Sequence, residues 1–252
     1  MSDPLFMVRM QLDARRLTTL ARERRLPLHS LDTGYFVHCV LGELFGDGSL
    51  KPFKITTSEG PTVDLLGYTT RSHEALRRHA QEFADPAIHA LCRWEGLASK
   101  ELPDRWEAGR ALDFEVRASP TVRTHHGVEG GARHEKGREV DAYVATQWRP
   151  SGGGERPTRE AVYREWFAQH FERHAGARLV HVEVAGYQRA TLLRRTQGES
   201  RKGHFSERPD VTFTGTLEVI DPADFDALLR RGVGRHRAFG FGMLLLRPAR
   251  AG

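Results

Sequence analysis

The sequence predicts an α+β protein of two tandem ferredoxin-like (βαββαβ, RRM-like) units, residues 1–110 and 111–252. Three observations predict it. The chain has 252 residues, long for one ordinary domain and comfortable for two of roughly 100–150 each. Its first half reads strand, helix, strand, strand, helix, strand, the order of that unit. Its second half repeats the theme less clearly, and 39% hydrophobic content lets each half bury a core.

Leu5 to Leu12 reads as the first strand. Asp32 stands at an N-cap position before Thr33 to Phe45, whose apolar residues recur at helical spacing. Phe53–Thr57 and Val63–Tyr68 are strands around the turn Ser58-Glu59-Gly60-Pro61, and His73 to Phe83 is a second helix. Strand material follows through Leu91–Trp94 and on to Leu112–Arg117. In the second half, Leu112–Val116 and Val140–Thr146 resemble strands, separated by a Gly- and His-rich stretch from Thr124 to Gly137. Ser151–Gly154 is a joint, Thr158 to His174 a helix, and Leu179–Val184, Gln188–Arg194 and Val211–Val219 are strands. Asp221 caps a helix with Pro222 at its first position and Asp224 in its first turn, both favoured there. That helix runs to Arg231, Gly232 takes the left-handed C-cap, and Met243–Arg247 closes the chain as a strand.

Lys+Arg number 38 against 33 for Asp+Glu, a net charge of +5. This suits a polyanionic partner, because basic side chains release counterions when they meet phosphates. Cys39 and Cys92 are the only cysteines and have no metal-ligand spacing, so neither a disulfide framework nor a zinc knuckle is expected. The N-terminus lacks the layout of a signal peptide. No apolar stretch nears the roughly 20 residues of a spanning helix. A soluble, cytoplasmic protein with no membrane partner is expected.

Residues 232–242 read Gly-Val-Gly-Arg-His-Arg-Ala-Phe-Gly-Phe-Gly. Gly232, Gly234, Gly240 and Gly242 let the backbone approach a phosphate, while Arg235, His236 and Arg237 bring charge to the same place. A dinucleotide-binding loop follows a strand and opens a helix; this loop does the reverse, which excludes it. A tight helix-to-strand turn with glycines for geometry alone is the plain alternative.

Gly-x-Gly, five residues with basic members, then Gly-x-Gly before the last strand resembles the signature loop of the repeat-associated RNA-binding proteins of CRISPR systems. Within that superfamily, the chain is most similar to the CasE family, the repeat-processing endoribonuclease of type I-E systems and a subunit of Cascade. Phe213–Pro222 is similar to that family's strand before the last helix, and Phe114–Pro120 to its interdomain strand. The resemblance covers nearly the whole chain, with Thr124–Gly137 matching poorly.

The resemblance implies a catalytic histidine on the first helix of the N-terminal unit, with a tyrosine three residues earlier. Tyr35 and His38 stand at that spacing, and residues i and i+3 are helical neighbours. At about 100° per residue, Phe36, Val37, Val40, Leu41 and Leu44 form one apolar arc. Tyr35, His38 and Gly42 fall outside it, so the pair is expected to point away from its own core. An ordinary half-exposed histidine is the plain alternative. His29 is a competitor that lacks the tyrosine and precedes the cap.

The chemistry needs little, since RNA carries its own 2′-OH nucleophile. An imidazole with an ordinary pKa near 6.5 can accept or donate the proton. His38 is expected to act as general base or general acid and Tyr35 as the orienting hydroxyl, with a nearby Lys or Arg, Lys202 being the candidate, against the growing phosphorane charge. Products would be a 2′,3′-cyclic phosphate and a 5′-hydroxyl. No metal or other cofactor is expected, in keeping with the lack of a carboxylate cluster at nuclease spacing. The expected partners are a CRISPR repeat RNA stem-loop and other Cascade subunits. Arg189, Arg194, Arg195, Arg201 and Lys202 could line the stem, read mainly through shape and phosphates. The His125, His126 and His134 cluster reads as loop. A non-cleaving RNA-binding scaffold of a CRISPR effector is the alternative function, and it would need the glycine loop but not the Tyr35–His38 pair.

Overall fold

The computed structural model describes residues 3–24, 26, 33–124, 128–129, 132–133, 137–148, 155–173, 176–195 and 203–249. Strand β1 (Phe6–Asp13) alternates, burying Val8, Met10 and Leu12 on one face. Asp13 ends the strand and caps α1 (Ala14–Glu23), its carboxylate accepting from the Arg15 and Arg16 amides. Helix α1 departs from the expected plain link between the first strand and Thr33. It is strongly polar and buries only Leu17 and Ala21. Helix α2 (Thr33–Phe45) has the expected bounds, while its expected cap Asp32 and the competitor His29 lie outside the described residues. Strands β2 (Phe53–Thr57) and β3 (Thr62–Thr69) follow, then α3 (His73–Phe83), capped by Ser72, and a short α4 (Pro86–His89).

The expected strand at Leu91–Trp94 is a correction. Only Cys92 bridges to Leu12, and a 3-10 turn follows at Trp94–Gly96. The fourth strand is β4 (Ala98–Glu101), an edge with the polar sequence Ala-Ser-Lys-Glu and no apolar alternation to mark it. The first sheet runs β2-β3-β1-β4, antiparallel throughout. Val37, Val40, Leu41 and Leu44 of α2 and Leu76 and Ala80 of α3 fill one face of it.

Strand β5 (Ala111–Ala118) belongs to the second sheet, not the first. An excursion follows: β6 (Thr121–Arg123), β7 (Val128–Glu129), β8 (Ala132–Arg133) and β9 (Glu139–Asp141), paired β6 with β9 and β7 with β8. The expected strand Val140–Thr146 stops at Asp141, which caps α5 (Ala142–Gln147) by accepting from the Tyr143 amide. Helix α6 (Arg159–Glu172) leads into β10 (Ala177–Arg195), one strand where two are expected. Register shifts after Leu179 and Val184 bend it without ending its pairing with β11 (Gly203–Val219). Helix α7 (Pro222–Arg231) and β12 (Leu245–Pro248) complete a sheet ordered β10-β11-β5-β12. Each sheet thus places its unit's first strand between the third and fourth, the ferredoxin-like order.

The back of the first sheet meets the second core: Leu5 and Tyr68 pack with Phe114, Phe225 and Leu244. Tyr68 donates its buried hydroxyl to the Leu244 carbonyl at 2.7 Å, and burial raises its pKa. Lys54 of β2 forms an ion pair with Glu115 of β5. Among the described residues, no helix is long and apolar enough to cross a membrane.

Candidate active site

The second unit delivers its glycine loop to the first. Asp221 accepts from the Ala223 and Asp224 amides and starts α7 as expected. Gly232 leaves the helix at φ 72°, ψ 172°, a glycine conformation with extended ψ rather than the expected left-handed helical cap. Gly234, Gly240 and Gly242 also have positive φ, at 73°, 84° and 80°. The loop closes on itself, the Val233 amide donating to the Gly242 carbonyl at 2.8 Å. The Gly242 amide donates to the Arg117 carbonyl at 2.6 Å. A Cβ on Gly242 would overlap the Val233 carbonyl oxygen, and one on Gly232 would sit 2.7 Å from the Gly242 oxygen. The loop's own closure therefore requires glycine at these positions.

Within the loop, a 3-10 turn at Arg237–Phe239 carries Phe239 onto helix α2. Its ring stacks on Tyr35 with centroids 6.0 Å apart and meets His38 edge-on at 5.6 Å. Phe239 also packs on a small cluster of Ala190 and Leu192 from β10 with Phe241. The half-buried Tyr35 touches the edge of the first core as well, so the pair points toward the loop rather than into open solvent. Desolvation pulls the His38 pKa below its ordinary 6.5; Lys51 adds to the fall and Asp47 opposes it. Burial thus favours the neutral imidazole, which stands against the same phenyl ring that Tyr35 stacks on.

The loop's basic residues divide. Arg235 donates to Glu139 at 2.6 Å and stays 41% exposed. His236 corrects the expected RNA contact: its side chain is 1% exposed, lies 3.3 Å from the Glu139 carboxylate and packs near Phe239 and Phe241. It is also the one non-glycine at positive φ among the described residues. Arg237 donates to the Arg231 carbonyl at the end of α7, at 2.5 Å. Arg189 is exposed and paired with Glu207 at 3.0 Å. Arg194 and Arg195 end β10, but their side chains, and all of Arg201 and Lys202, lie outside the description, as do His125, His126 and His134.

Three supports leave no mark in the linear pattern of residues. Glu139, buried in β9, takes Arg208 from β11 as well as Arg235 and His236, so the excursion, the long hairpin and the loop share one carboxylate. Asp210, also buried, is held by Arg117 through two bonds of 2.7 and 2.9 Å and by Gln188 at 2.6 Å. The Arg117 guanidinium lies 4.1 Å over the Phe241 ring. The third is Phe239 itself, which stands in the loop motif but packs on Tyr35 and His38 of the other unit. Among the described residues, no group of three or more His, Cys, Asp or Glu could hold a metal ion.

Fold and site together define a double ferredoxin-like protein whose helix α2 presents a histidine to the glycine loop of its second unit. A family profile described as "CRISPR associated protein" matches residues 5–248. The chain belongs to this family, and the resemblance to CasE proteins holds. The CRISPR-associated endoribonuclease Cse3 of Thermus thermophilus is 41% identical over 56 residues, 22% of this chain and 26% of that protein. The matched segment thus spans about a quarter of the curated relative. A solved Cse3 bound to a 19-nucleotide RNA aligns over 97% of this chain and 100% of its own, with 19% identity and a TM-score of 0.62. Cas6e from Escherichia coli covers the same shares at 18% identity and 0.54. A CRISPR RNA-guided surveillance complex contains a chain matched over 97% of this one and 100% of its own, at 16% and 0.58. At these identities the structures show a shared fold.

Proposed function

We propose that this chain is an endoribonuclease that processes CRISPR repeat transcripts without a metal and stays with its product as a Cascade subunit in the cytoplasm. The observation that carries the reading is the His38 ring held against Phe239 of the glycine loop, which unites an imidazole with a basic, RNA-type loop. The kinship with Cse3, named an endoribonuclease, and with a chain of a surveillance complex supports the activity and the assembly. The unit boundary falls between β4 and β5, near residue 110.

His38, kept neutral by desolvation, takes the 2′-OH proton as general base. The 2′-oxygen attacks phosphorus, the bond to the 5′-oxygen breaks, and that oxygen receives the proton held by His38, directly or through water, to leave as the 5′-hydroxyl. The other product is the 2′,3′-cyclic phosphate. Tyr35 orients the 2′-OH or the phosphate. A nearby cation stabilises the growing charge: Lys202 is one candidate, and Lys51, whose field reaches the His38 ring, is a second. Arg189, Arg194, Arg195, Arg201, Arg235 and Arg237, with the glycine-loop backbone, hold the hairpin's phosphates.

Wild type and His38→Ala are incubated with the cognate repeat RNA in EDTA. Wild type is expected to cut, and the variant to cut about 10²–10⁴-fold more slowly with unchanged RNA affinity. Equal rates sink the role of His38, and a chelator-silenced wild type sinks the metal-free route. Deoxyribose at the scissile position is expected to stop cutting and leave binding intact. Binding without any cutting by wild type marks a scaffold instead.

A further inference from the structure

Beside the glycine loop, a second cleft opens between the β6–α5 excursion and helix α6, with a volume of about 540 Å³. Arg123, Arg173 and Arg235 line it, which gathers three basic residues around one space, Arg235 being paired with Glu139. Arg123 and Arg173 are exposed, and neither has an acidic partner among the described residues. Glu165, the one acid among the described lining residues, is tied to Gln169 at 3.2 Å. The inner wall is aromatic: His170 lies with its ring centroid 4.1 Å from that of Trp166 and is half-buried. Trp166 is fixed from behind, its indole N–H donating to the Thr121 carbonyl at 3.1 Å.

We infer that this cleft binds one unpaired nucleotide of RNA adjoining the hairpin, an inference that rests on the proposed repeat-RNA function. Guanidinium groups at the mouth suit a phosphate, which they can bind through paired N–H donors. The imidazole face offers a base a stacking surface, and Gln169 lies within the same wall to meet its edge. A concave site of this size lies within the range of ordinary ligand pockets. It admits a base only when that base is free of a pairing partner, as in single-stranded RNA. Arg235 belongs both to this cleft and to the glycine loop, so a strand leaving the loop enters the cleft directly.

The test compares a bare repeat hairpin with the same hairpin carrying a short unpaired tail at each end. Fluorescence anisotropy measures both against wild type and against Arg123→Ala/Arg173→Ala, two exposed positions whose loss leaves the core intact. Wild type is expected to bind the tailed RNA about tenfold tighter than the bare hairpin. The double variant is expected to lose that difference while binding the bare hairpin as wild type does. A wild type indifferent to the tails, or a variant that keeps the preference, overturns the cleft. A protein that binds neither hairpin but takes unpaired RNA through Arg123 and Arg173 keeps the cleft and loses the hairpin reading; one that binds no RNA loses both. With 4-thiouridine in the tail, crosslinks are expected on residues 166–173, and crosslinks confined to other segments overturn the site.

Discussion

The two βαββαβ units share one strand order and differ in which crossover contributes to the candidate site. In the first unit, the link from the first strand to the second holds α2, with Tyr35 and His38. In the second unit, the link from the third strand to the fourth holds α7 and the glycine loop. These links are not equivalent in topology, yet they meet in space because β2 and the segment before it lie against the loop. Pro52 would stand 3.1 Å from a Cβ on Gly232, and Phe53 3.3 Å from one on Gly240. A repeated topology thus supplies two platforms, and the site arises where their unlike decorations touch.

Because the units meet at Phe239, damage to the second unit is expected to reach a histidine in the first. The largest effect is expected from Glu139→Ala. It leaves the half-buried Arg208 and the buried His236 without their shared carboxylate, at a cost of about 3 kcal/mol. Denaturant unfolding measures the loss, Glu139→Gln is expected to lose less, and an unchanged midpoint for the alanine variant breaks the comparison. Gly242→Ala comes next. It forces a side chain to φ 80° and into the Val233 oxygen, for about 2 kcal/mol or more, read as a lowered melting temperature with slower cleavage.

The pH profile gives the smallest and sharpest test. Burial favours the neutral form of His38, so its pKa lies below 6.5. Protonation removes the base as pH falls, so the acid limb of the cleavage rate is expected to lie below 6.5, with about a tenfold loss per pH unit beneath the pKa. Phe239→Ala admits water to the ring and is expected to move that limb back toward 6.5. A limb at 6.5 in wild type, or one that Phe239→Ala leaves in place, separates the two units' roles.

Much of the scaffold was legible where local signals agree. Helices α2, α3 and α7 combine apolar spacing with, in the last two, a Ser or Asp cap, and their bounds follow from residues within one turn. Elements whose residues lack that agreement escaped notice: arginine-rich α1, the polar edge β4, and α5 hidden behind Val140. Joining 179–184 to 188–194 needed the pairing of β11, which no local window contains. The same limit divides the site. Tyr35 and His38 share an outward side because a helix imposes it, and that could be read. Glu139 gathering Arg208, Arg235 and His236 could not, because attraction among distant charges leaves no spacing in the chain.

Phe239 has neighbours in both directions: Tyr35 and His38 on one hand, Ala190 and Leu192 of the long hairpin on the other. Close-packed interiors transmit displacement rather than absorb it. Tension applied to the hairpin by whatever it grips therefore arrives at the imidazole through a single phenyl group, as force through a coupling pin. Under the proposed function, binding along the hairpin and the state of the imidazole are mechanically linked, and that ring sets how stiffly they are joined.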